Sequence, residues 1–399
     1  MDESKEFTEA LLDQISIETN EENEIANLIR TINEDSSFTQ EFDDLKRTSN
    51  ELFQKMKQLI IDFTGLDVSP NVKIQHLDLV DFKKVKGKKV HPTQRSRNYV
   101  YELFDAISNN NFDKIVCLIN NDISKFLVYS TYAKSYISKI STTYGDYYDS
   151  TIYINKFILN IYPKIILYKY GKPYNLKFES VRSAYFGALK MTIAEEIIHS
   201  TQIKLHEINK KAIQHINYVN EEIAKLILNL DNNKITKLSK YLNLEPVPEE
   251  FPTAKKANLF FNLTPDNFIM NALGSNVMNF TKIEIDQKIN STIPQLHDMY
   301  MQWLKPIQKQ HVVFNIIEGK IKFIIKNILK YDKNFCDYIK IWHEDNVIRY
   351  NKKNVGDSLV ETCYNSFHKK AFNILINNIP TIKELNQPNL YINRISRQK

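Results

Sequence analysis

The chain has 399 residues, room for two or three domains at about 150 residues each, and its 43 % hydrophobic and 25 % charged content is that of an ordinary globular protein. Only eight glycines occur, well below the usual ~7 % of residues, and neither G-x-G-x-x-G nor G-x-x-x-x-G-K-[ST] is found, which leaves a dinucleotide-binding turn and a P-loop without support. The net charge of +6 is uneven: residues 1–65 hold 16 acidic and 6 basic side chains, a balance of −10, so the remainder carries +16.

From about Phe7 to Phe63, apolar residues recur at helical spacing in two runs separated by Asp35-Ser36-Ser37. This predicts an acidic helical arm over residues 1–64. Residues 66–95 read as irregular and polar, and the tightest basic run, from Lys83 to Lys89, reads as a solvated lysine surface. Helical patterns resume around Tyr99–Ile107 and Phe112–Tyr129. The stretch Tyr144–Asn155 is turn-forming and then β-rich, predicting one or two strands. A strong helix is predicted from Ser180 to Lys204 and another from Ile208 to Leu230. Between Pro246 and Pro252, three prolines in seven residues mark the clearest boundary in the chain. Beyond it, helical runs alternate with short breaks up to a basic, frayed end at Arg394–Lys399. The expected organisation is an arm over 1–64, a central domain over 65–250 with its core at about 95–245, and a helical C-terminal domain over 251–399. The fold class is α+β, mostly helical.

Cys117, Cys336 and Cys363 are far apart and form no C-x-x-C pair, so neither a disulfide framework nor a zinc finger is expected. The acidic N-terminus lacks the apolar core of a secretory signal, and no stretch reaches ~18 uninterrupted apolar residues, so a cytoplasmic chain without membrane contact is expected. The basic body admits nucleic acid as a partner, but its lysines are scattered, and this is not the favoured reading.

The segment that carries chemistry is Thr192-Ile193-Ala194-Glu195-Glu196-Ile197-Ile198-His199-Ser200-Thr201-Gln202. On a helix, residues four apart share a face, so Glu195 and His199 project together with Glu196 beside them. A metal ion needs such a pair, with a neighbouring carboxylate free to take a proton from water. The same Glu196-x-x-His199 spacing is half of a ferritin-like diiron signature, but no second copy is evident. His206 is on the His199 face, yet seven residues of unbroken helix would separate the two by ~10 Å, too far for one metal.

With Glu195 in the place of the first histidine, E-E-x-x-H resembles the H-E-x-x-H helix of the zincin metallopeptidases. The dressing T-[IL]-A-x-E-[IL]-[IL]-H-S-x-Q is shared. Tyr147–Asn155 is similar to the edge strand that often precedes that helix, and Asn220-Glu221-Glu222-Ile223-Ala224 looks like the N-E-x-x-A of the gluzincin branch. The likeness covers about residues 140–230. The metzincin extension is missing, since Gln202 and Leu205 stand where Gly and His would be needed. What the resemblance implies is a zincin-like central domain. His199 and Glu221 would be metal ligands, with Glu195 in the missing ligand's position and Glu196 as general base for metal-bound water. Tyr241 is placed to support an oxyanion. The implied cofactor is a divalent metal, zinc by family, while the extra carboxylate also suits iron or manganese. The expected function is a metal-dependent hydrolase, of peptide or protein substrates. The alternative is a zincin fold that has lost catalysis and serves as a protein-interaction module.

Overall fold

Apolar residues at helical spacing fold into helices along most of the chain, and one small sheet interrupts them, as the α+β, mostly helical pattern predicts. The structure is a computed structural model that describes residues 45–109, 111–140, 143–157, 159, 178–248, 251–341 and 354–398. Most of the expected acidic arm, residues 1–44, lies outside them. The rest of it is α1 (Leu45–Thr64), which buries Phe53, Met56 and Ile60 on one face.

The stretch expected to be irregular contains strand β1 (Lys73–Leu77) and helix α2 (Leu79–Lys88). The strand carries few apolar side chains because it is a sheet edge, and the basic run sits on a helix anchored by buried Phe82 and Val85. A short 3-10 turn leads into α3 (Arg97–Ser108), α4 (Phe112–Asn121) and α5 (Ile123–Ile140). Strands β2 (Gly145–Tyr148) and β3 (Thr151–Asn155) form a hairpin. Its two-residue turn places Asp149 and Ser150 at φ 48° and 58°, the left-handed geometry that matches strand twist. Tyr148 pairs with Thr151 across the turn, and β1 adds to the far side of β3 in parallel, Lys73 opposite Thr151, to give the order β1-β3-β2.

The long helices α6 (Phe178–Ser200) and α7 (Ile203–Leu228) follow, then α8 (Asn232–Tyr241), α9 (Pro252–Leu263), α10 (Pro265–Leu273) and α11 (Gln287–Thr292). Prolines at the first helical positions of α9 and α10 fit the missing N–H donors there. The chain ends in α12 (Gln295–Leu329), α13 (Lys333–Ile341), α14 (Val355–Phe367), α15 (Lys370–Asn377), α16 (Ile382–Asn386) and α17 (Pro388–Arg397). The basic end is not frayed as far as Arg397: α17 buries Tyr391 and Ile395, and Arg394 Nε donates to Glu384 Oε1 at 2.6 Å. No described helix is long and apolar enough to cross a membrane.

Two compact units interleave along the chain. The first takes Lys86–Ser138 and Ile208–His311; here Tyr300 donates to the Leu263 carbonyl at 2.7 Å, and Trp303 is fully buried. The second takes the described residues up to Val85, then Lys139–Glu207 and the chain from Val312 onward. Its core includes a cluster of Phe63, Phe323, Tyr364 and Phe372 with ring centroids 5.2–6.4 Å apart. In this unit α6 crosses α13 closely enough that a Cβ at Gly187 would sit 2.1 Å from the Asn334 carbonyl oxygen. Lys190 Nζ donates to both Asp332 and Asn334 at 2.7 Å, and Ser183 donates to Asp337 at 2.7 Å, fixing the crossing.

A candidate metal centre on α6

Helix α6 is buried on most of its circumference, with Leu189, Ile193, Ala194, Ile197 and Ile198 all essentially inaccessible. Charged groups on its last turns are therefore held inside the unit. Glu196 is buried, and Glu195 and His199 are half-buried. One ligand atom from each of the three lies within 4.8 Å of the others, so Glu195, Glu196 and His199 form a group that could hold a metal ion. Donors ~2.1 Å from a tetrahedral ion are about 3.4 Å apart, so closing on a cation takes roughly an ångström of side-chain movement. Two carboxylates this close repel each other, and a cation relieves that repulsion. The nearest lysine on the same helix, Lys190, spends its ammonium on Asp332 and Asn334 instead.

Strand β2 borders the group. A Cβ at Gly145 would come within 2.4 Å of Thr192 Cγ2 and 3.5 Å of Glu196 Cγ, so only glycine lets the strand backbone pass so near the helix. The segment likened to a single edge strand, Tyr147–Asn155, is thus a hairpin in which β2 is the edge. The β3 arm is central because β1 covers its other side.

The distance expected between His199 and His206 is overturned. The helix predicted to run from Ser180 to Lys204 stops at Ser200, and α7 begins at Ile203. Ser200 and Thr201 turn their hydroxyls back onto the carbonyls of Ile197 and Ile198, at 2.6 and 2.7 Å, and the backbone tightens to i→i−3 bonds at Thr201 and Gln202. Such side-chain bonds compete with the helical ladder. The break folds His206 back, and its Nε2 shares a hydrogen bond of 3.2 Å with His199 Nδ1. A bond to the second ring nitrogen of a metal-ligating histidine fixes its tautomer and orientation. The helix limits predicted at Lys204 and Ile208 leave His206 between two helices, and the Ser200-Thr201 pair marks where the first one stops.

The other two predicted residues belong to the first unit. Glu221, on α7 and 1 % exposed, accepts three hydrogen bonds on Oε1: from Thr93 Oγ1 at 3.0 Å, Ser96 Oγ at 2.8 Å and Tyr129 OH at 2.7 Å. Arg95 Nε stands 3.6 Å from Oε2. Burial, and then the charge of Glu221, push the Tyr129 hydroxyl well above its usual range, so it stays a donor. Tyr241, at the end of α8, is exposed. Its hydroxyl bonds the Asp286 carboxylate, which raises its pKa, and the Lys288 ammonium lies 4.8 Å from its ring centroid. Sequence reasoning picked out Glu221 but not its three hydroxyl donors, which come from 92 to 128 residues away.

Comparison of the chain with protein-family models, curated proteins and solved structures finds no match.

Proposed function

We propose that the chain is a divergent metal-dependent hydrolase of the zincin kind, acting on peptides or proteins, with its cation on the α6 group. The observation that carries this reading is the convergence of Glu195, Glu196 and His199 within 4.8 Å on one helix end. A divalent cation held there would supply Lewis acidity towards a carbonyl oxygen and lower the pKa of water. The chain's own part follows from its side chains. Glu195 and His199, one turn apart, are the ligands, and the buried Glu196 accepts a proton from water and returns it to the leaving amine. His206 orients the His199 ring. Two hard carboxylates with one imidazole suit iron or manganese as well as zinc.

Glu221 favours a second reading. Its commitment to Thr93, Ser96 and Tyr129 is that of a structural carboxylate, which fits a zincin-derived protein that binds partners without catalysis. Metal analysis of protein purified without chelator, with titration by zinc and manganese, tests the shared premise. About one equivalent per chain, lost in His199→Ala, supports a metal centre; no uptake of either ion by the folded protein refutes it. Cleavage of a peptide library by the loaded protein, abolished in Glu196→Gln with metal retained, separates hydrolase from interaction module.

A further inference from the structure

The first unit holds a cavity of about 320 Å3, at the small end of the ~300–1,000 Å3 range of ligand sites. Val90, Ile213, Ile216 and Ile307 supply apolar wall, and His91, Tyr132, Asn217, Asp266 and Gln310 supply polar groups. Asn217 is fully buried. Its Nδ2 donates to the His91 carbonyl at 2.9 Å, while its Oδ1 has no hydrogen-bond partner among the described residues. An acceptor left bare in a buried position is costly, so a donor from outside would be welcome there. Asp266 takes a hydrogen bond from Asn220, but burial outweighs it and holds the carboxyl above its usual range. The wall carries this one carboxylate and no lysine or arginine. Asn217 Oδ1 and the Asp266 carboxylate thus offer a bare acceptor and a negative charge beside a hydrocarbon surface.

We infer that this cavity is a binding site for a small organic cation, a primary amine on a compact apolar body, with its ammonium between Asp266 and Asn217 Oδ1. An ammonium has three donors and a full charge, enough to serve both acceptors at once. The apolar body would replace water against the isoleucine wall. Asn217 stands one helical turn before Glu221 on α7, so the same rigid helix that anchors the hydroxyl network also fixes the acceptor.

The test is calorimetric titration of the full chain with phenethylamine and n-hexylamine, against the isosteric alcohols 2-phenylethanol and 1-hexanol. Saturable 1:1 binding of at least one amine is expected, ten- to hundredfold tighter than its alcohol, because a hydrogen bond to a charged group is worth ~1.5–3 kcal/mol. Asp266→Asn should erase that preference, and Ile307→Trp, at a half-buried wall position, should block both classes. Circular dichroism melts establish that each variant is folded. No saturable binding of either amine to the parent protein overturns the inference. So does equal affinity for amine and alcohol, or an amine preference that survives in folded Asp266→Asn. The comparison on the parent protein stands even if a variant fails to fold. The cavity belongs to the first unit and the α6 group to the second, so either proposal can fail without the other.

Discussion

Lys320 is buried to 0 % exposure on α12, and its ammonium nitrogen has no hydrogen-bond partner among the described residues. Burial alone pushes its pKa from 10.5 down to about 7. In the unfolded chain the amine keeps its ordinary value. Between about pH 7 and 10.5 the unfolded state therefore binds a proton that the folded state does not, and stability rises with pH across that window. Below about pH 7 both states are protonated and the full cost is present. At ~1.4 kcal/mol per pKa unit, that cost is on the order of 5 kcal/mol. Lys320→Met, which keeps the length of the side chain and removes the charge, should stabilise the second unit at pH 6 by about this amount in addition to the ~1–3 kcal/mol of an unsatisfied buried amine. The advantage should shrink as pH rises towards 10, leaving ~1–3 kcal/mol for the unsatisfied neutral amine. Urea unfolding of parent and variant at pH 6, 7.5, 9 and 10 measures the difference directly, and other titrating groups cancel in the comparison. A methionine variant no more stable than the parent at pH 6, or a gain that does not change with pH, would refute the reasoning.

Glu195→His replaces a carboxylate with imidazole at the position four residues before His199 and should raise zinc affinity, read by isothermal titration; no gain over the parent would remove α6 from consideration as a metal site. His206→Ala removes the hydrogen bond to His199 Nδ1 and should weaken metal binding about 10- to 100-fold while the melting temperature changes little, so unchanged affinity would mean that His206 does not orient the ligand. Tyr129→Phe takes one of three donors from the buried Glu221 carboxylate and should destabilise the first unit by ~1–3 kcal/mol in chemical denaturation. An unaltered midpoint would show that Thr93 and Ser96 suffice.

Long helices and the β2–β3 hairpin were legible because their signals are local. Helical spacing of apolar residues marks α6 and α7, and Asp149-Ser150 is a pair that tolerates the left-handed turn. Strand β1 was not legible, since a short edge strand takes its order from the neighbour it pairs with, and Ile74 and Leu77, three positions apart, make no alternating pattern. The metal-capable group was visible in E-E-x-x-H because one helix supplies all of it. The approach of His206 was hidden by a two-residue helix break whose cause, hydroxyls turned back on the backbone, looks like ordinary helical surface in sequence. The hydroxyl donors around Glu221 were invisible for a different reason: they are joined to it only by tertiary structure.

The interleaving of the two units has a consequence for biosynthesis. Lys190 on α6 meets Asp332, 142 positions further along the chain, and Gly187 meets Asn334 over a similar span. Closing a loop of that length costs on the order of 4 kcal/mol in chain entropy before any contact repays it. At ribosomal speeds of ~5–20 residues per second, α6 waits roughly 7–30 seconds for the helix that covers it. During that interval the face of α6 at Gly187 lacks the Asn334 and Tyr338 cover that α13 later brings. Slowing synthesis between α6 and α13 should therefore lower the yield of folded product.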